Sequence, residues 1–154
     1  MEAAPAWTAG MTVGATALRG GSNDPQARLL LGLAGSWRPL RHGALTLSYG
    51  RMTEGEHYGA LRFDSTIHRL GLLGEGRLPL SSRVDALVSL GPLLTVRAAS
   101  LDGRGRSEAR WAAFTGLGLL DRFWRLELRL DGGLAWGQGG PDLTVAVGLG
   151  YCWP

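Results

Sequence analysis

Three histidines, one cysteine and a few serines are what this chain offers for nucleophilic or acid–base chemistry. A hydrolase needs its nucleophile, a base and an orienting acid within hydrogen-bond reach. Ser65 and His68 are three residues apart, so an extended strand sends them to opposite faces unless a bulge intervenes. His42 reads as a turn residue, His57 as a loop residue and His68 as an interface or rim residue. Cys152 is alone and can support neither an intrachain disulfide nor a cysteine-rich metal site; it reads as a small inward residue. Gly71-x-x-Gly74-x-Gly76 and Gly116-x-Gly118 lie in strand patterns with no helix following, so neither is a phosphate-binding loop. Glu127 stands between Arg125 and Arg129. That spacing would suit carboxylate chemistry only if a substrate could enter, and ion pairing is the simpler reading. No cofactor and no metal is expected.

Composition narrows the class of protein. The 154 residues carry 25 Gly, six Trp, 45% hydrophobic and only 19% charged residues, and every one of the 16 basic residues is arginine. A net charge of +3 raises the question of nucleic acid, but the arginines are scattered and no nucleic-acid-binding motif accompanies them. No nucleic-acid partner is expected. No run of about eighteen apolar residues occurs, so a transmembrane helix is not expected. If the chain enters a bilayer it must do so as strands, and strands in lipid must close into a barrel to pair their backbones. The start, Met1-Glu2-Ala3-Ala4-Pro5, has neither a basic nor an apolar leader region, and the expectation is that a signal peptide has been removed.

Strands are what the pattern shows, because residue types alternate with period two almost throughout. Trp7, Met11, Val13 and Ala15 oppose Thr8, Gly10, Thr12 and Gly14. Leu29, Leu31, Leu33 and Trp37 oppose Gly32, Ala34 and Ser36, and Leu45, Leu47 and Tyr49 oppose Thr46 and Ser48. Later strands follow the rule with Val84 to Val96, Trp111 to Leu119, Trp124 to Trp136 and Leu143 to Trp153. The fourth strand fits less well: Leu70, Leu72 and Leu78 share a face, but Phe63 and Ile67 have the other parity, so a bulge near His68 is expected. Long connections are expected at 19–27, 53–59, 100–106 and 137–141. Tight ones are expected at 39–43, 79–82 and 121–122. The reading is a single domain over 1–154, all-β, an eight-stranded antiparallel up-and-down transmembrane β-barrel with a side-chain-filled lumen, its termini on the periplasmic side.

The alternation would also suit a soluble, lipocalin-like ligand carrier. Three features favour lipid outside. All six Trp fall on the apolar face near strand ends, and Trp124 and Trp136 are separated by roughly 30 Å along a tilted barrel axis. Trp7, Trp37, Trp124 and Trp153, with Tyr151 beside them, form the expected periplasmic girdle, and Tyr49, Trp111 and Trp136 the outer one. The polar face of strands one, three and eight is mostly Thr, Gly, Ser and Ala, too weakly charged for a surface in water. Charges gather instead on strands four to seven: Arg69, Glu75, Arg77, Arg83, Asp85, Arg97, Glu108, Arg110, Arg125, Glu127, Arg129 and Asp131. They are expected to form a lumenal network reaching across to the wall of small residues, since eight strands enclose just enough room for side chains. Seven arginines against five acids leaves that network short of carboxylates. Leu128 is expected on the lipid face at mid-depth.

With these residues in hand the chain resembles the small outer-membrane barrels of the OmpA/OmpX type. The resemblance is one of pattern over nearly the whole chain. Its most specific part is Gly148-Leu149-Gly150-Tyr151-Cys152-Trp153, which looks like the C-terminal signal read by the outer-membrane insertion machinery; Pro154 after it departs from that signal. The resemblance implies a bacterial outer-membrane location and a bilayer with lipopolysaccharide around the barrel. Some small barrels act on lipid A, but the His-x-Ser pair of the lipid A deacylases is missing, since Ala44, Gly59 and Leu70 follow the three histidines. The expected role is structural or interactive and non-catalytic, without a wide pore, within a larger envelope complex if partners exist. The alternatives are a lipid A-modifying enzyme and the soluble carrier.

Overall fold

A computed structural model describes residues 7–18, 26–40, 42–58, 61–101, 104–137 and 140–153. These form eight strands: β1 (Trp7–Leu18), β2 (Gln26–Leu40), β3 (Gly43–Tyr58), β4 (Leu61–Pro79), β5 (Val84–Leu101), β6 (Arg104–Phe123), β7 (Leu126–Gly137) and β8 (Gly140–Trp153). Each pairs antiparallel with its chain neighbours, and β8 closes onto β1 through Trp7↔Trp153, Val13↔Val147 and Ala17↔Leu143. No helix among the described residues is long and apolar enough to cross a membrane. The N-terminal residues Met1 to Pro5, positions 19–25, Pro154 and the side chain of His57 lie outside what the structure describes, and with them the expectations placed there.

Closure fixes the geometry. Paired residues lead from Trp7 to Trp37, Leu45, Gly74, Leu90, Thr115, Leu134 and Leu143, and Leu143 pairs with Ala17. The circuit thus returns to β1 at position 17 instead of 7, a stagger of ten residues. Ten residues are about 33 Å along a strand and eight strand spacings about 38 Å across, so the strands tilt by about 40°. Each residue then climbs about 2.5 Å along the barrel axis, and each crossing to the next strand in chain order about 3 Å. On this scale Trp111 and Trp136 stand about 25 Å above Trp7, the height of the apolar band of an outer-membrane barrel.

The outer wall is apolar over that height. Met11, Leu31, Leu33, Leu47, Leu72, Leu90, Leu117, Leu130, Val147 and Leu149 are all exposed, and so are all six tryptophans. The inner wall holds Thr8, Thr16, Ser36, Thr46, Ser89, Arg69, Glu75, Arg77, Asp85 and Glu127, all buried. An apolar exterior around a polar, buried interior inverts the arrangement of a soluble ligand-carrying barrel.

Several expectations need correction. There is no bulge near His68: β3 and β4 pair without a register shift from Gly43↔Gly76 to Tyr58↔Leu61. Ile67 simply points inward, where it packs with Leu30 and Met52 in a small apolar cluster. A lumen that is not wholly polar tolerates apolar residues at inward parity, which the pattern alone could not show. The segments 53–59 and 100–106 are mostly strand, because β3–β4 and β5–β6 continue as hairpins past the barrel body, leaving 59–60 and 102–103 between them. Above the bilayer no face has to be apolar, so the alternation stops while backbone pairing goes on. The turn expected at 121–122 lies at Trp124 and Arg125, with Trp124 at φ 58°. Asp121 and Arg122 belong to β6.

The axial scale also moves Leu128. It pairs with Leu149 and sits only about 4 Å above the level of Trp7, whereas Val147 stands about 12 Å above it. Val147→Arg should therefore cost about 2–4 kcal/mol and Leu128→Arg about 0–1 kcal/mol, read from urea unfolding of barrels refolded in lipid vesicles. Equal penalties at the two positions would refute the depth scale.

Candidate functional site

The lumen is organised in layers. At the end that holds the termini, Arg38, Arg77, Glu75, Glu127, Arg129 and Asp131 form a chain of alternating charge across the barrel. Arg38 on β2 pairs with Glu127 on β7 and donates to Thr8 Oγ1 at 2.8 Å. Arg77 on β4 lies 3.7 Å from Glu127 Oε1 and 3.7 Å from Glu75 Oε2. Arg129 on β7 reaches Glu75 Oε1 at 2.6 Å and Asp131 Oδ2 at 2.5 Å. Three arginines meet three acids. Beside them Arg122 pairs with Asp85, and Cys152 lies buried with its Sγ 3.6 Å from Thr8 Oγ1. Cross-lumen pairing of this kind is enforced by desolvation: a buried charge must find a partner, and the partner lies on the opposite wall.

The middle of the lumen is emptier. A cavity of about 140 Å³ is lined by Leu30, Leu73, Leu93 and Phe114 together with Ser48 and Ser89. Phe114 occupies space that two glycines leave free: a Cβ on Gly133 would fall 2.2 Å from the Phe114 ring, and one on Gly116 2.8 Å. Gly118 likewise leaves room for Asp131, whose Oδ1 would lie 2.6 Å from an added Cβ. Toward the far end Arg69 donates to Asp142 at 2.7 Å and to Thr144 at 3.3 Å, joining β4 to β8 across the lumen. Arg28 pairs with Glu54, and Arg97 stands 3.7 Å from Glu54 and donates to Ser65 at 3.1 Å.

The structure sorts the twelve charged residues singled out from the sequence. Arg69, Glu75, Arg77, Asp85, Glu127, Arg129 and Asp131 face the lumen and meet partners there. Arg97 lies at the lumen's far mouth, partly exposed. Four others do not line the lumen. Arg83 is exposed in the β4–β5 turn with its guanidinium 5.8 Å from the Phe123 ring, and Arg125 is exposed in the β6–β7 turn over Trp124 at 5.7 Å. Arg125 also donates to the Tyr151 hydroxyl at 3.1 Å, which raises its pKa above the ordinary arginine value. Glu108 and Arg110 pair at 2.8 Å on the β5–β6 hairpin, where both are about half exposed. Inward parity carried past the barrel body ends in water, and turn residues escape parity altogether.

Sequence reasoning also missed partners. Arg28 and Arg38 on β2, Glu54 on β3, Arg122 on β6 and Asp142 on β8 all meet lumenal charges. Each continues the parity of its strand by one or two steps into a stretch that looked like a turn or an end, which was the available signal. With Arg83, Arg110 and Arg125 outside the lumen the charges balance: Arg28, Arg38, Arg69, Arg77, Arg122 and Arg129 meet Glu54, Glu75, Asp85, Glu127, Asp131 and Asp142.

On the outer wall, Trp7 and Trp37 stack at 6.1 Å, Tyr151 and Trp153 meet edge-on at 5.0 Å, and Trp124 projects from its turn, all at the end of the termini. Trp111 and Trp136 mark the other end, with Trp136 Nε1 donating to Thr115 at 3.2 Å. Tyr49 differs from the girdle expected of it: its ring stands about 9 Å below Trp111, and its hydroxyl lies 2.8 Å from His68 Nδ1. His68 points outward while Ser65 is buried inside, so the fold separates them, and His42 is exposed in the β2–β3 turn.

No protein-family model and no curated protein sequence matches the chain. Solved structures do. The neisserial surface protein A (NspA) superposes with a TM-score of 0.75 at 12% identity, covering 99% of this chain and 100% of its own. Ail, the attachment invasion locus protein of Yersinia pestis, gives 0.71 at 14% identity over 98% and 99% of the two chains. The N-terminal β-barrel domain of Pseudomonas aeruginosa OprF gives 0.65 at 13% identity over 97% and 98%. The shared property is the fold, that of small eight-stranded outer-membrane barrels. Combined with this chain's apolar exterior, polar interior and absence of an open sheet edge, it makes the protein an integral β-barrel of the bacterial outer membrane.

Removing one member of the ionic chain should leave its partners unpaired. Glu127→Gln, which strands Arg38 and Arg77, should cost about 3–5 kcal/mol in lipid vesicles, while Glu108→Gln at the exposed pair should cost under about 1 kcal/mol. Matching urea midpoints for the two variants would contradict the lumenal network.

Proposed function

We propose that the barrel is a closed, non-catalytic element of the outer membrane, without a wide pore, whose role is exerted through its surfaces. The observation that carries this reading is the balanced ionic chain Arg38–Glu127–Arg77–Glu75–Arg129–Asp131, which spans the lumen near the terminal end. Every carboxylate in it is engaged by arginine, so none stands ready as a general base. A route for solute past it would require breaking buried pairs. The twelve charged positions named from the sequence contribute a structural plug where they face inward and a hydrated rim where they do not.

Two contacts follow from this reading. The outward Leu149, Tyr151 and Trp153 of β8 are offered as the determinant read by the insertion machinery, with Trp7, Trp37, Trp124, Tyr151 and Trp153 holding one interface and Trp111 and Trp136 the other. The remaining leucine wall meets either acyl chains or another envelope protein, and an accessory place in a larger complex suits a barrel whose interior is committed to packing. The lipid A-modifying alternative has less support, because the fold sends Ser65 and His68 to opposite faces.

Purification from native membranes in mild detergent tests the accessory role, with a stoichiometric envelope partner as the expected result. A barrel recovered alone under several mild detergents would count against it. In planar bilayers the wild-type protein should give no discrete conductance steps, and lipid A from cells expressing it should show an unshifted mass. Open-channel steps or a lipid A mass change would overturn the plugged, non-catalytic reading.

A further inference from the structure

One column of the outer wall is not apolar. Tyr49, Arg51 and Thr53 point outward from β3, and His68 and Thr66 point outward beside them from β4, with Arg51↔His68 and Thr53↔Thr66 as direct cross-strand partners. Directly opposed residues bring their side chains within about 5.5 Å of each other at Cβ, so the five polar groups form one patch. The walls on either side are apolar: Leu29 and Leu31 on β2, Leu94 and Val96 on β5. On the axial scale Arg51 stands about 21 Å, His68 about 24 Å, Thr53 about 26 Å and Thr66 about 29 Å above Trp7. Trp111 and Trp136 stand about 25 Å above it, so the patch lies at the level where the outer leaflet's headgroups begin. Between about 5 and 25 Å above Trp7, Arg51 is the one arginine or acid on the described outer wall.

A guanidinium on a lipid-facing wall needs a counter-charge or water, and among the described residues no acid pairs with Arg51. The neighbouring groups are arranged as donors. The Tyr49 hydroxyl lies 2.8 Å from His68 Nδ1, and in the tautomer that accepts from Tyr49 there, the His68 Nε2–H is left to donate outward. Arg51 supplies a planar fork, and Thr53 and Thr66 supply hydroxyls above it. Asp64, the next outward residue on β4, stands one further step of about 5 Å beyond Thr66 and has an interaction of its own, so the donors centred on Arg51 and His68 at headgroup height are the part of the column that complements a phosphate monoester.

We propose that Arg51, His68, Thr53 and Thr66, with Tyr49 orienting His68, form a docking site for a phosphate on the glycolipid headgroup of the outer leaflet. The site rests on the outer-membrane reading and adds to it a particular ligand and a particular face of the barrel. Tyr49 is a positioning residue here, and its ring fills the step below Arg51 with a surface that acyl chains accept.

The test places the intact barrel in phosphatidylcholine nanodiscs doped with phosphorylated lipid A or with its dephosphorylated form, and counts retained lipid A by native mass spectrometry. The wild-type barrel should retain phosphorylated lipid A about tenfold better than the dephosphorylated form, and Arg51→Leu with His68→Gln should lose that advantage, as expected for loss of charge-assisted hydrogen bonds. Arg51→Leu alone should fold at least as well as wild type, shown by heat-modifiable gel migration, because leucine suits a lipid-facing position. Lipid loss without a folding defect is therefore the supporting signature. Retention unchanged in the double variant, or indifferent to the phosphate, would overturn the site. Displacement by millimolar inorganic phosphate would make it a site for the free ion and likewise overturn the headgroup assignment. Loss of a co-purifying protein, with lipid A retained, would reassign the patch to a protein interface. A wild-type barrel that folds in neither nanodisc would sink the membrane reading itself, which is a separate result.

Discussion

Everything in this molecule depends on the β1–β8 seam. In hydrocarbon an unpaired strand edge leaves amide and carbonyl groups with nothing to bond, and joining the first strand to the last removes both edges at once. Joining them with a stagger of ten residues sets the tilt, and the tilt with the strand number sets the lumen's width and the height of the apolar wall. The roughly 25 Å between Trp7 and the Trp111–Trp136 level follows from that one closure.

The closure also decides how the charges balance. Strands that are distant in the chain face each other across a lumen about two side chains wide, so Arg38 meets Glu127, Arg69 meets Asp142 and Arg129 meets Glu75. These arginines are long enough to cross and forked enough to hold two acceptors. Glycine completes the arrangement from the other side: the bare Cα atoms of Gly116, Gly118 and Gly133 make room for the Phe114 ring and the Asp131 carboxylate. Charge, length and emptiness are distributed around the barrel so that one wall supplies what the opposite wall lacks.

With the lumen committed to pairing, the proposed role rests on the outside. Most of the outer wall is generic for a bilayer protein, and its leucines and valines say little beyond that. The exceptions lie at its margins: the aromatic cluster around β8 at one end, and the polar column on β3–β4 at the other. Those are the places where this barrel differs from an idealised cylinder of the same fold, and the proposed contacts with neighbours are drawn from them.

By itself the sequence determined the class of structure. Period two, the absence of any long apolar run and six tryptophans at strand ends together leave a closed membrane barrel as the consistent reading, because each is a local property of a strand in lipid. It also identified the inward face of every strand where alternation is strict, as at Glu127, Arg129 and Asp131. What it could not decide were the ends and the crossings. Arg83 and Arg125 share the composition of lumenal arginines but sit in turns, Arg28 and Arg38 look like strand ends but are lumenal, and Ile67 looked misplaced until the interior proved partly apolar. Pairing across the lumen joins residues as distant as Arg38 and Glu127, and its geometry comes from the stagger at the seam. No local pattern contains that number, so only the closed tertiary structure could supply it.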